Sequence, residues 1–156
     1  ITDGVTLAAD GLGCIGGEVN GTEDKKIIVE KGVVYALSGF VGMRDALIAW
    51  HQDGAKSSDV PATPDGDSWT FFVIDRSGAK YFTNKCAYPN RVRTPFAIGS
   101  GADYAMGALH AGLSPQQAIQ IVIDKRLDVG TGGEIQGVDI KEALGTREPG
   151  LRAVKG

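Results

Sequence analysis

An apolar strand that ends on a carboxylate constrains the fold of this chain more than any other feature. Asp3-Gly4 is a two-residue turn signal, and Val5–Ala9 then has the composition of a strand that leads to Asp10. With this turn, Thr2 faces the first residue of the strand, and the partner of Asp10 lies upstream of Ile1. A carboxylate at the end of an apolar strand needs a cationic or hydroxyl partner. We therefore expect the chemistry of the protein at this end of the hairpin.

Composition narrows the class of protein. The chain has 156 residues, 42% hydrophobic and 22% charged, which is ordinary for one globular domain. No apolar run approaches the roughly 18 residues of a membrane span, so we expect no membrane contact. The net charge of −3, without a basic stripe, favours no nucleic-acid partner. The histidines and cysteines lack metal-ligand spacing, so no metal or cofactor is expected, and the two cysteines fit the reducing cytoplasm.

The order of the predicted elements indicates an α+β fold. Periodicity and turn signals predict strands at 5–9, 27–29, 33–40, 69–75, 79–83, 96–98 and 134–140, and helices at 43–53, 102–111 and 115–127. Residues 11–21 are expected to form a loop or an irregular hairpin, 84–95 to be irregular, and 141–156 to be a polar tail. Segregated strands and helices favour antiparallel sheets with helices outside them.

Five short motifs then carry a resemblance to a known family. They are Leu7–Gly11 (LAADG), Lys26 at the head of a strand, Leu37–Gly42 (LSGFVG), Ile98–Gly101 (IGSG) and Asp128–Gly133 (DVGTGG). In this order the chain resembles a proteasome β-subunit and the bacterial heat-shock protease of the same superfamily. These are N-terminal-nucleophile hydrolases, and the resemblance covers residues 1–140. It implies a four-layer αββα sandwich of two antiparallel sheets with helices outside.

The resemblance also implies a catalytic set. The nucleophile of the family is the hydroxyl of an N-terminal threonine, and the α-amine of the same residue is the base. The matching positions are Asp10 beside the threonine, Lys26 next to its hydroxyl, Gly39 as oxyanion donor, and Ser100, Asp128 and Thr131 around the amine. Ile1 is not a threonine, so we expect the nucleophile about three to five residues upstream, counted across the two-residue turn.

Substrate-binding residues are predicted from strand periodicity around Lys26 and Gly39. Ile28 is expected on the face of Lys26, and Leu37 and Val41 on the face of Gly39. These side chains predict an apolar residue on the acyl side of the cleaved bond. Asp45, one helical turn after Val41, would instead admit a basic residue.

Alternative interpretations stay open at this point. Taken singly, Asp10 is a turn cap, Lys26 a solvated charge, Gly39 a packing glycine and Ser100 a helix N-cap. Taken together, they predict a threonine peptidase that acts on peptides as a homo-oligomer, in a ring or filament, with an ATP-dependent unfoldase as a candidate partner. A non-catalytic assembly subunit and a small-molecule amidase of the same superfamily are the competing functions.

Overall fold

A computed structural model of the protein describes residues 1–15, 18–23, 25–125, 127 and 131–145. Its strands are β1 (Thr6–Ala9), β2 (Leu12–Ile15), β3 (Glu18–Glu23), β4 (Ile27–Glu30), β5 (Val33–Gly39), β6 (Trp69–Asp75), β7 (Gly78–Thr83), β8 (Cys86–Arg91) and β9 (Gln136–Asp139). Its α-helices are α1 (Arg44–Gln52), α2 (Ala102–His110), α3 (Pro115–Asp124) and α4 (Ile140–Gly145). No helix among the described residues is long and apolar enough to cross a membrane.

A five-stranded antiparallel sheet, in the order β4-β5-β6-β7-β8, is the centre of the fold. β5 and β6 are apolar on both faces, as their unbroken runs of β-branched and aromatic residues predict. On one face, side chains of β5 and β6 form a buried cluster with α1, and Leu47 and Trp50 are the helix residues that enter it. Trp50 keeps its indole N–H satisfied by donating to the carbonyl of Lys56 at 2.9 Å.

The opposite face of this sheet packs against a second, two-stranded antiparallel sheet of β1 and β9. Leu7 of β1 lies in one buried cluster with Ala36 and Phe72 of the large sheet and with Ile140 and Ala143 of α4. α3 packs on β1, and α2 packs on α3. The layers are therefore helix, sheet, sheet and helix. The expected four-layer αββα sandwich is confirmed.

The first hairpin differs from the predicted register. Thr2 pairs with Leu7 rather than with Val5, and Ile1 exchanges backbone hydrogen bonds with Ala8. The reason is that the Asp3 carboxylate accepts the amides of the next turn residues, Val5 and Thr6, each at 2.8 Å. An aspartate that caps its own turn in this way stabilises a four-residue connection. The two-residue turn was therefore wrong, and the partner of Asp10 is closer to Ile1 than the sequence suggested.

Two further expectations needed correction. The expected irregular segment 84–95 contains β8, an edge strand that accommodates Pro89 because an edge amide needs no ladder partner. By contrast, the irregular hairpin expected at residues 11–21 is confirmed, because β2 and β3 pair with a register shift between Leu12 and Cys14. The expected polar tail begins with α4, whose Ile140 and Ala143 are buried, so ordered structure continues to Gly145. Residues 146–156 lie outside the described part of the chain.

Candidate active site

The two charged residues singled out in the sequence form an ion pair. Lys26 Nζ lies 2.9 Å from Asp10 Oδ1, and the two side chains are only 15% and 17% exposed. Asp10 follows the last residue of β1, and Lys26 precedes the first residue of β4, so the pair joins the two sheets where they face each other. An ion pair with little solvent around it is held in one geometry, as a preorganised site requires.

Backbone amides hold the second oxygen of Asp10. Oδ2 accepts from Gly132 at 3.1 Å and from Leu12 at 3.3 Å, and the Gly11 amide donates back to the Gly132 carbonyl at 3.0 Å. The two backbones approach so closely that a Cβ on Gly11 would lie 2.8 Å from the carbonyl oxygen of Glu134. Glycine is therefore required at this crossing, and Asp10 is both a turn cap and a partner of Lys26.

Gly39, the expected oxyanion donor, ends β5 with φ of +95°. A Cβ at this position would lie 2.2 Å from the carbonyl oxygen of Ser68, so a side chain is excluded. The Phe40 amide donates to the carbonyl of Ser68, the residue before β6, whereas the Leu37 amide donates to the Lys26 carbonyl at 3.3 Å. Successive amides of a strand point to opposite sides. The Gly39 amide therefore points, like that of Leu37, to the side of Lys26.

A cavity of about 300 Å³ lies between the two sheets and contains these groups. Its polar side chains are those of Thr2, Asp10, Lys26, Ser38, Ser100 and Thr131. Its apolar wall includes Leu7, Leu37, Val41, Phe72, Phe96, Ile98, Ile119 and Val122. The structure thus brings together the described members of the predicted catalytic set: Asp10, Lys26, Gly39, Ser100 and Thr131.

Two of the predicted site residues, Ile28 and Asp45, stand apart from this cavity wall. Asp128 lies outside the described residues. Ile28 packs against the cluster on the α1 side of the large sheet instead of lining the cavity. Asp45 is 85% exposed in the first turn of α1, where its carboxylate contacts Arg44 at 3.0 Å. Of the four predicted substrate-binding residues, Leu37 and Val41 line the cavity. Ser100 does not act as the helix cap, because Gly101 occupies the N-cap of α2.

The segment Ile1–Thr2 enters the site as a short extended strand, and Thr2 makes an isolated β-bridge on each side. Thr2 pairs with Leu7 on one side and with Phe96 on the other, and it exchanges hydrogen bonds of 2.8 and 2.9 Å with Phe96. Its side chain is buried and accepts the Gly4 amide at 3.0 Å. Thr2 is three residues from the level of Asp10, about 10 Å along a strand. Thr2 is therefore a structural residue and cannot supply a hydroxyl to the Asp10–Lys26 pair.

The amine of Ile1 is buried at the wall of the cavity. It donates to the carbonyl of Ala8 at 2.6 Å. Burial lowers the pKa of this amine from 8.0 to about 6, against the opposing effect of the Asp10 carboxylate, which raises it. An amine at this position is therefore poorly solvated and interacts with the negative charge of Asp10.

One residue at the site was not singled out in the sequence. Gln136, the first residue of β9, accepts the Lys26 amide at 2.9 Å and the Ile27 amide at 3.2 Å through Oε1. A glutamine in a strand carries no local signal for such a role. Its partners are 110 and 109 residues away in the chain, so only the tertiary structure reveals it. Among the described residues, no group of three metal-ligating side chains that could hold a metal ion is found.

Two solved structures have the same backbone arrangement. Eukaryotic HslV from Trypanosoma brucei is similar with a TM-score of 0.68 and 16% identity, over 89% of this chain and 95% of that chain. The chain has the HslV fold. BPH from Thiobacillus denitrificans, solved in complex with epoxomicin, is similar with a TM-score of 0.65 and 18% identity, over 88% of this chain and 93% of that chain. No family model and no curated protein sequence matches the chain. The HslV-like fold confirms the fold resemblance read from the sequence motifs.

Proposed function

We propose that the protein is a proteasome-like threonine peptidase whose nucleophile is an N-terminal threonine upstream of Ile1. The register of the Ile1–Thr2 strand is the observation that carries this proposal. Continued towards its amino-terminal side in the same register, this strand passes Asp10 at the end of β1. The second residue before Ile1 is then level with Asp10. We therefore propose a threonine two or three residues before Ile1, nearer than the three to five residues that the two-residue turn implies.

The surrounding groups support this chemistry. A threonine hydroxyl in this position lies beside the Lys26 ammonium, whose charge favours the deprotonated nucleophile. The terminal α-amine takes the hydroxyl proton as Oγ attacks the acyl carbon of the substrate, and it later gives a proton to the leaving amine. The Gly39 amide donates to the oxyanion of the tetrahedral intermediate. Water then hydrolyses the acyl ester and restores the free threonine.

The substrate we propose is a peptide with an apolar residue on the acyl side of the cleaved bond. Leu37 and Val41 support this preference because they line the cavity beside Gly39. We also propose that the protein works in the cytoplasm as a homo-oligomer, with an ATP-dependent unfoldase as a partner. The backbone similarity to HslV, and to BPH solved in complex with epoxomicin, supports this proposal.

The test uses the protein expressed from its native start. Intact mass and terminal sequencing identify the first residue, a panel of fluorogenic peptides reports hydrolysis, and mass spectrometry reports an epoxomicin adduct. We expect a terminal threonine two or three residues before Ile1, cleavage after apolar residues, and loss of both activity and adduct when that threonine is replaced by alanine. If no hydroxyl residue lies two to five positions before Ile1, the enzyme proposal fails, and a non-catalytic assembly subunit takes its place. Light scattering on the same sample measures the oligomeric state.

A further inference from the structure

Gln136 connects the two sheets at the level of the ion pair. Its strand neighbour is Ala9, the last residue of β1, which directly precedes Asp10. Its side chain reaches in the other direction and accepts the amides of Lys26 and Ile27, at the head of β4. One carboxamide oxygen has two lone pairs and can accept both donors. A single residue thereby links the strand that presents Asp10 to the backbone that presents Lys26.

The backbone of Lys26 depends on this link. On the β5 side it is held through its carbonyl, which accepts the Leu37 amide at a long 3.3 Å. The regular β4–β5 pairing starts one residue later, with Ile27 opposite Ala36. The shorter bond, 2.9 Å, is the one from the Lys26 amide to Gln136. The head of β4 is therefore fixed from both sides, and Gln136 supplies the fixation on the side of Asp10.

We infer that Gln136 is a positioning residue of the proposed peptidase, which sets the Lys26 ammonium at its distance from Asp10. This inference rests on the proposed function. Gln136 does not line the cavity, so it acts through Lys26 and not on the substrate. Losing it allows the head of β4 to move away from β9 and leaves Lys26 with a range of positions. The turnover step, which needs the charge in one place, is affected more than substrate binding.

The test compares Gln136→Met, which keeps the length but removes the acceptor, with Gln136→Glu, which keeps an acceptor oxygen. Both are made in the protein expressed from its native start. Gln136→Met is expected to lower kcat about tenfold and to leave KM within about twofold of the parent value. Gln136→Glu is expected to keep most of the parent kcat. Gln120→Met is the matched control, because Gln120 bonds only locally to Asp124 on an exposed helix face.

Amide hydrogen exchange provides a readout that does not depend on activity. Exchange at Lys26 and Ile27 is expected to accelerate about tenfold in Gln136→Met, and to stay near the parent rate in Gln136→Glu and Gln120→Met. Parent-like exchange and parent-like kcat in Gln136→Met would overturn the inference. A parent protein that hydrolyses no peptide refutes the proposed function instead. In that case the exchange rates, with the side-chain NMR signals of Lys26, decide whether Gln136 positions the lysine.

Discussion

The structure contains two aspartate–lysine pairs that look alike as pairs and differ in what surrounds them. Lys26 and Asp10 are 2.9 Å apart and 15% and 17% exposed, while Lys80 and Asp75 are 2.7 Å apart and 22% and 20% exposed. Distance and burial therefore do not separate them. Asp75 and Lys80 belong to the neighbouring strands β6 and β7, and Asp75 pairs with Gly78 across their turn. Asp10 follows β1 and Lys26 precedes β4, and these two strands belong to different sheets.

The other hydrogen-bond donors to the two aspartates also differ in whether they are local or distant in the chain. Asp75 accepts the amide and hydroxyl of Ser77, so its bonds stay within the hairpin. Asp10 accepts the amide of Gly132, which is 122 residues away, and its pair faces the cavity. The local pair closes a turn beside an apolar cluster, whereas the distant pair draws two sheets and three chain segments to one point. Long-range assembly around a cavity, and not the ion pair itself, marks a candidate site.

The largest expected difference is in hydrolysis. In the protein expressed from its native start, Lys26→Ala is expected to reduce kcat/KM by 100- to 1000-fold, because one preorganised charge beside the nucleophile is lost. Lys80→Ala removes an equally buried ammonium and is expected to leave hydrolysis within about threefold of the parent. Fluorogenic peptide kinetics on both variants, with circular dichroism as a check of folding, measure this contrast. Equal effects of the two substitutions would remove the distinction between the pairs.

The two glycines beside these pairs offer the next contrast, in stability. Both have positive φ, +95° at Gly39 and +118° at Gly78, so alanine is strained at either position. At Gly39 the new Cβ also meets the Ser68 carbonyl oxygen at 2.2 Å, whereas nothing lies within 4 Å of it at Gly78. We expect Gly39→Ala to lower the free energy of unfolding by about 3 kcal/mol and Gly78→Ala by about 1 kcal/mol. Urea unfolding measures both, and a Gly78→Ala loss as large as that of Gly39→Ala would contradict this account.

The sequence predicts a cationic or hydroxyl partner for Asp10 from the apolar strand that it ends, but it indicates Lys26 only through motif context. Leu7–Gly11 and the head of β4 stand in the order of a known family. Asp75 and Lys80 have the same residue types in a clear hairpin, and local sequence cannot tell their role from that of the site pair. The fold class was predictable because β5 and β6 are unbroken apolar runs and α3 has a Ser114 cap followed by proline.

What the sequence did not predict depends on side chains that bind backbone. The carboxylate of Asp3 lengthens the first turn and shifts the register of the whole Ile1–Thr2 strand. The oxygen of Gln136 fixes Lys26 from more than 100 residues away. Such bonds have no periodicity and no fixed spacing, so pattern analysis cannot detect them. β8 was missed for a different reason, since Pro89 is a breaker signal except on an edge strand.

The buried amine of Ile1 predicts how the free energy of unfolding depends on pH. In a polypeptide that starts at Ile1, the folded amine has a pKa of about 6, below its ordinary value of 8.0. Between these values the unfolded chain binds more protons, so the free energy of unfolding rises with pH, by up to about 2–3 kcal/mol. In a polypeptide that carries the proposed upstream residues, this nitrogen is an amide, and its contribution to the rise is expected to disappear.

Comparing the two polypeptides also controls for a second titratable group, the half-buried His51. Burial also lowers the pKa of His51, with Lys80 adding to the effect and Asp75 opposing it, so His51 contributes a rise of the same sign. That contribution is common to both polypeptides and cancels in their difference. Urea unfolding from pH 5 to 9 on the two polypeptides measures the difference, and superimposable curves would contradict a buried Ile1 amine.

The smallest expected effect is on the free energy of unfolding at acid pH, through the Asp75–Lys80 pair. Burial raises the pKa of Asp75, but the hydrogen bonds from Lys80 and Ser77 outweigh it and leave this pKa below its ordinary value. A lowered carboxyl pKa stabilises the folded state above the ordinary value, near 4, and that stability is lost as pH falls through the folded pKa. Asp75→Asn is therefore expected to lower the free energy of unfolding by about 1 kcal/mol at pH 7 and by almost nothing at pH 2, as urea unfolding at both pH values measures.

Lys80→Met should weaken the dependence of the free energy of unfolding on acid pH in the same way, because it removes a donor that lowers the pKa of Asp75. A cost of Asp75→Asn that is equal at both pH values would show that the aspartate stabilises the turn through hydrogen-bond geometry alone, without its charge.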